Sequence, residues 1–168
     1  MTNCHDKRRI LIFNDSENFM VYVNRYLNPE TIGFLDAKTK KEALEAMIDL
    51  LSRSPNIEDK KAFHEAVFKR ESVMSTGIGM NIAIPHVKIK EVADICVGIG
   101  ICKNGIDWDS MDGEPVRIIF LFAGSEDQHE LYLQTLSKIM LVLKNQRRRE
   151  QMIAANSVEE IVKLFENV

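Results

Sequence analysis

No apolar run in this chain approaches the roughly twenty residues needed to cross a bilayer as a helix, so no membrane span is expected. The opening Met1-Thr2-Asn3-Cys4-His5-Asp6 is polar and lacks the apolar stretch of a signal peptide. Cysteine is scarce and odd in number. Cys4, Cys96 and Cys102 do not make a disulfide framework, and two of them lie in an apolar segment, which suits reduced thiols in the cytoplasm. Histidine is equally sparse. Its four residues stand apart from one another and from the cysteines, and His129-Glu130 lacks the second histidine of a zinc-protease helix, so no metal site is expected. A net charge of −3 gives no electrostatic reason to bind nucleic acid or a membrane surface. Repeats, low-complexity stretches and an interdomain linker are all lacking.

What remains is an ordinary globular composition, 45% hydrophobic and 28% charged, in a chain long enough for one well-cored domain. Lys7–Asp15 reads as a short strand running into a turn, and Phe19–Tyr26 as a helix with Phe19, Val23 and Tyr26 on one face. Asn28-Pro29 marks a break. Ile32–Leu35 reads as a strand. Thr39-Lys40-Lys41-Glu42 is a capping-box pattern ahead of a helix facing the core with Ala43, Leu44, Met47, Ile48 and Leu51. Ser54-Pro55-Asn56 stops it. A second helix starts near Glu58, with Ala62, Phe63, Ala66 and Val67 on its apolar face, and carries Arg70-Glu71 at its end.

Further on, Asp94–Cys102 alternates Ile95, Val97, Ile99 and Ile101 with small residues, which predicts a strand approached closely by another layer. Lys103–Pro115 is turn-rich, anchored by Ile106 and Trp108. Val116–Ala123 is apolar throughout, as for a strand covered on both faces. A helix over 127–144 is expected to face the core with Leu131, Leu133, Leu136, Ile139, Met140 and Leu143. A helical piece follows across Arg147-Arg148-Arg149, which reads as a solvated helix end. Ser157-Val158-Glu159-Glu160 caps a last helix bearing Val158, Ile161, Val162 and Phe165. Strands and helices intermix, so the expected fold is α/β: a single layered domain whose mixed β-sheet is covered by helices on both faces.

The stretch with most chemical content is Ser75–Val87, Ser-Thr-Gly-Ile-Gly-Met-Asn-Ile-Ala-Ile-Pro-His-Val. Gly77 and Gly79 permit a turn at positive φ. Ile82-Ala83-Ile84 then enters the core, and Pro85 stiffens the backbone before His86. His86 is expected at a strand end, as a fixed nucleophile or as a hydrogen-bonded edge histidine. Gly77-Ile78-Gly79 is not a dinucleotide fingerprint, because no third glycine and no helix follow it.

Ser75-Thr76-Gly77-Ile78-Gly79 and Ile82-Ala83-Ile84-Pro85-His86, preceded by Arg70-Glu71, resemble the signature of the mannitol/fructose/nitrogen-type EIIA proteins. These belong to the phosphoenolpyruvate-dependent sugar phosphotransferase system. The resemblance begins near Tyr26 and divides the chain into an N-terminal extension of unknown role, 1–25, and an EIIA-like phosphocarrier domain, 26–168. It implies that His86 accepts a phosphoryl group from the carrier protein HPr and passes it to an EIIB partner. It implies no organic cofactor and no metal. In the nitrogen-type branch the protein instead binds regulatory targets, and the phosphoryl group acts as a switch; the lack of an attached EIIB or transporter segment suits that branch.

Transfer to histidine needs an unprotonated ring nitrogen and donors around the phosphoryl oxygens. Arg70 matches the arginine of the family's Arg-Glu pair and offers a planar fork of donors, although a helix end favours an arginine in any case. Ser75, Thr76 and the backbone at Gly77 either add donors or shape the turn. The chain departs from the family at one point. Most members carry a second active-site histidine in the helix after the long apolar strand, where Tyr132 stands here. Tyr132 retains a hydroxyl donor, and His129, one turn earlier, is the other candidate auxiliary donor. That departure also motivates a third reading, a binding protein that carries no phosphate.

Overall fold

The computed structural model describes residue 23 and residues 25–166. The expected strand at Lys7–Asp15 and the start of the helix at Phe19 lie outside the described residues. Val23, Arg25 and Tyr26 are helical, and Val23 is fully buried.

Strand β1, Leu27–Phe34, begins before the expected break and runs through it. Asn28-Pro29 instead produces an irregularity in the strand. The register with its neighbour shifts between Leu27 and Ile32, and Asn28 Oδ1 accepts from Glu30 N–H. Pro29 is tolerated because β1 forms the sheet edge. Helix α1, Lys40–Leu51, is capped by the Thr39 hydroxyl, which accepts from Glu42 N–H at 3.2 Å. The Glu42 carboxylate reaches back to Lys38 N–H rather than to the cap residue itself. All five residues expected on its inner face are buried. Helix α2, Lys60–Val73, starts from an Asp59 cap and buries Phe63, Val67 and Glu71. Ala62 and Ala66 are half-buried on the flank.

Three short strands follow: β2 Gly77–Gly79, β3 Ile82–Ala83 and β4 His86–Lys88. The long strands are β5, Cys96–Ile106, and β6, Val116–Gly124. The sheet order is β1-β5-β6-β3-β2, with β4 also on β6. β5 and β6 are antiparallel, while β1 runs parallel to β5, and β3 and β4 run parallel to β6. The sheet is therefore mixed.

Two cores flank it. Ile118, Phe120 and Phe122 of β6 face one side, together with Val97, Ile99 and Ile101 of β5. Helices α3 (His129–Leu143), α4 (Gln146–Ala154) and α5 (Val158–Glu166) bury Ile139, Met152, Ile161 and Phe165 there. On the other side Ile119, Leu121 and Ala123 meet α1 and α2. Gly100 lets α1 lie close, because a Cβ there would collide with the Met47 sulfur and Leu35. Cys96 and Cys102 are buried free thiols, and burial pushes both up to about 12.

Two expectations are corrected on the far face. Helix α3 buries Tyr132, Thr135, Ile139, Val142 and Leu143, while Leu133 is 48% exposed. Only Leu133 departs from the expected face: Ile139 and Leu143 are buried, Leu131, Leu136 and Met140 pack against the core, and the inward stripe also takes in polar Tyr132 and Thr135. The arginine run is not simply solvated either. Arg148 is buried, and Arg149 donates to the carbonyls of Leu143 and Lys144, the open end of α3.

Candidate functional site

His86 is placed by an interrupted strand. Ile82-Ala83 pairs with Ile118-Ile119, and His86-Val87-Lys88 pairs with Phe122-Ala123-Gly124. Between them Ile84 N–H leaves the ladder for the carbonyl of Thr76, and Pro85, which has no N–H, contributes its carbonyl to Phe122. His86 thus opens β4 instead of closing β3, and it is fastened to the central strand. The turn ahead of β3 holds three consecutive residues in the left-handed region, Gly79, Met80 and Asn81. Of the two glycines, Gly79 (φ +86°) has the positive φ; Gly77 is needed because a Cβ would collide with Ser110.

The His86 ring has defined hydrogen-bond roles. Nδ1 lies 2.7 Å from the carbonyl oxygen of Ile84, which can only accept, so Nδ1 carries the proton. Nε2 then keeps its lone pair, and Arg70 Nη2 lies 3.5 Å from it. Burial is the main cause holding the imidazole below its ordinary value of 6.5, and the Arg70 charge acts the same way; the Ile84 bond and Glu71 pull upwards. Such a ring is neutral at neutral pH. Arg70 comes from the last turn of α2, and its other nitrogen is tied to the Met74 carbonyl at 3.0 Å.

An open hollow of about 460 Å³ has Arg70, Lys69, Val73, His86, Lys88 and Tyr132 among its walls. Tyr132 packs on Phe122 with ring centroids 4.7 Å apart and lies against Gly124, where a Cβ would come within 2.7 Å of its ring. Burial raises its hydroxyl well above the ordinary tyrosine range, so it is present as a neutral donor. His129 does not line that hollow. It stands at the first residue of α3, and its Nδ1 lies 2.8 Å from Lys88 Nζ.

The loop hydroxyls are engaged elsewhere. Thr76 Oγ1 donates to Glu71 at 2.6 Å, its N–H donates to the same carboxylate, and Ser75 Oγ donates to the Trp108 carbonyl. Gly77 N–H donates to Ser75 Oγ at 3.3 Å. Ser75, Thr76 and Gly77 are absent from the hollow's walls. Glu71 is the hub: Trp108 Nε1 and Lys40 Nζ reach it at 3.1 and 2.6 Å. This buried cluster ties α1, α2 and the loop after Trp108 to the segment leading into His86.

Lys88, Lys69 and the hub role of Glu71 were missed from sequence. Lys88 had a usable signal: two residues beyond His86 in an extended segment, it must share its face. Lys69 and Lys40 had none, because contacts between helices and loops are not periodic.

The fold and the site together define an α/β domain that presents an unprotonated imidazole nitrogen beside an arginine, in an open hollow suited to an anion. Comparison with known proteins gives this class a family. The phosphoenolpyruvate-dependent sugar phosphotransferase system EIIA 2 family matches residues 25–168. A nitrogen regulatory protein of Klebsiella oxytoca is 33% identical over 157 residues, covering 92% of this chain and 94% of that protein. The fructose-specific EIIABC component of Bacillus subtilis is 33% identical over 144 residues, or 85% of this chain; the match spans 23% of that longer protein. The crystal structure of the nitrogen regulatory protein IIA-Ntr from Neisseria meningitidis superposes with a TM-score of 0.79 at 26% identity, covering 85% of this chain and 98% of that one. The chain belongs to the EIIA type 2 family of the phosphotransferase system. Among the described residues no helix is long and apolar enough to cross a membrane.

Proposed function

We propose that this protein is a phosphocarrier whose His86 Nε2 takes a phosphoryl group from an HPr-type donor and passes it to an EIIB component. The bond between Nε2 and phosphorus forms as the bond between phosphorus and the donor breaks, its electron pair staying on the donor. Onward transfer repeats the step, with Nε2 as leaving group. No water enters the step. The reading is carried by the Ile84 carbonyl on Nδ1, which fixes the tautomer with a free lone pair at Nε2. Arg70 then sits where charge spreads over the phosphoryl oxygens. Tyr132, which lines the same hollow, adds a neutral donor. Membership of the family supports a carrier working in the cytoplasm.

The test is phosphorylation by phosphoenolpyruvate, enzyme I and HPr, followed by intact mass under alkaline conditions. An adduct in the wild type and none in His86→Ala is the expected result. An adduct persisting in His86→Ala removes the assignment, and no adduct with a competent donor leaves a binding protein that carries no phosphate.

A regulatory reading is favoured by one observation: the Klebsiella relative, a nitrogen regulatory protein, is matched over 94% of its length. There the phosphoryl group would place negative charge on an interface and switch target binding. Phosphorylated protein that passes its group to a sugar-specific EIIB supports transport; protein that keeps it while changing affinity for a protein target supports regulation.

A further inference from the structure

We propose that Lys88, positioned by His129, is the second cationic contact to the phosphoryl group on His86; the inference rests on the phosphocarrier reading above. His86 and Lys88 are separated by one residue in β4, with Val87 buried between them, so both side chains leave the sheet on one face and enter one hollow. An ammonium has no lone pair and donates. The 2.8 Å contact therefore makes His129 Nδ1 the acceptor. His129 fixes the lysine without cancelling its charge, which a carboxylate would do.

Among the described residues, Arg70, Lys69 and Lys88 form no ion pair. Three cations thus line the hollow beside one nucleophile, none of them in an ion pair with a described residue, an arrangement that a dianionic group completes. Tyr132 occupies the place of the family's second histidine but is buried and neutral. A neutral hydroxyl bonds a phosphoryl oxygen less strongly than a cation does. The further positive charge at the site therefore falls to Lys88, which lines the same hollow. His129 is a positioning residue, and Lys88 is the group that touches phosphoryl oxygen.

The experiment measures the rate of His86 phosphorylation by phospho-HPr, and the lifetime of the adduct, in wild type, Lys88→Met, Lys88→Arg, His129→Ala and the Lys88→Met/His129→Ala double variant, with circular dichroism as the folding control. Lys88→Met should slow phosphorylation roughly tenfold to a hundredfold, within the range for losing one preorganised donor. Lys88→Arg should restore most of it, and His129→Ala should cost less than Lys88→Met and nothing further in its background. Equal rates and lifetimes in wild type and Lys88→Met overturn the proposal, as does an additive His129→Ala effect. A wild type unphosphorylated by a competent donor, or an adduct that survives His86→Ala, instead removes the phosphocarrier reading on which the proposal rests.

Discussion

At the scale of single residues, the imidazole of His86 is held neutral chiefly by burial, with help from Arg70. Its titration, followed by NMR, should therefore fall below 6.5, and in Arg70→Ala it should move up, because one of the two downward influences is gone. The sign for stability follows from linkage. The unfolded chain binds this proton more readily than the folded one, so His86 costs nothing above the ordinary value of 6.5 and destabilises increasingly as pH falls below it. Urea unfolding across that window should show a shallower loss of stability in His86→Ala. Arg70→Ala should also slow phosphorylation about a hundredfold, and Arg70→Lys should recover part of that loss, since an ammonium lacks the planar fork. His86 and Arg70 were legible as a local motif. The tautomer was not, because it is set by the carbonyl of Ile84, which turns inward where the strand breaks.

At the scale of elements, the approach to His86 is held by Glu71. Its carboxylate accepts from Thr76, Trp108 and Lys40, joining α1, α2 and two loops. Glu71→Ala removes the acceptor those donors share in a buried site and should destabilise by about 3 kcal/mol in chemical denaturation. Phosphorylation should slow as well, because the Thr76 carbonyl holds Ile84 N–H just ahead of His86. The packing of α3 depends on a second device. At Gly124 an added Cβ meets the Tyr132 ring at 2.7 Å, so Gly124→Ala should shift Tyr132 and weaken the adduct while the sheet persists. Capping signals located α1 well, since Thr39 and Glu42 act within four residues. On α3 only Leu133 was misplaced, and the inward turn of polar Tyr132 and Thr135 was not legible, because the close approach of Tyr132 to Gly124 is a contact distant in sequence.

At the scale of the whole molecule, β5 and β6 form the shared spine of both cores, with Cys96 and Cys102 inside. Burial pushes both thiols up to about 12, and both are packed in the core under α1 and α2. Thiol modification at these positions should therefore track global unfolding and coincide with the loss of circular dichroism across a denaturant series. Modification under native conditions would show that the helical cover over β5 opens by itself. The mixed sheet between two helical layers was legible from the alternation in 94–102 and the unbroken apolar run in 116–123. Both patterns report burial of one strand face or two, which any strand in a layered domain must satisfy.

The sequence by itself determined the layered α/β class, the helix starts, and a histidine mounted after a proline. Each depends on interactions spanning a few residues, where periodicity, capping and backbone restriction act. Only the tertiary structure decided that Thr76 serves Glu71, that His86 opens a strand on β6, and that Lys88 and His129 meet across 41 positions. Those pairings depend on how two helical layers settle on one sheet. Packing fixes that arrangement through contacts distant in sequence, and no local pattern carries it.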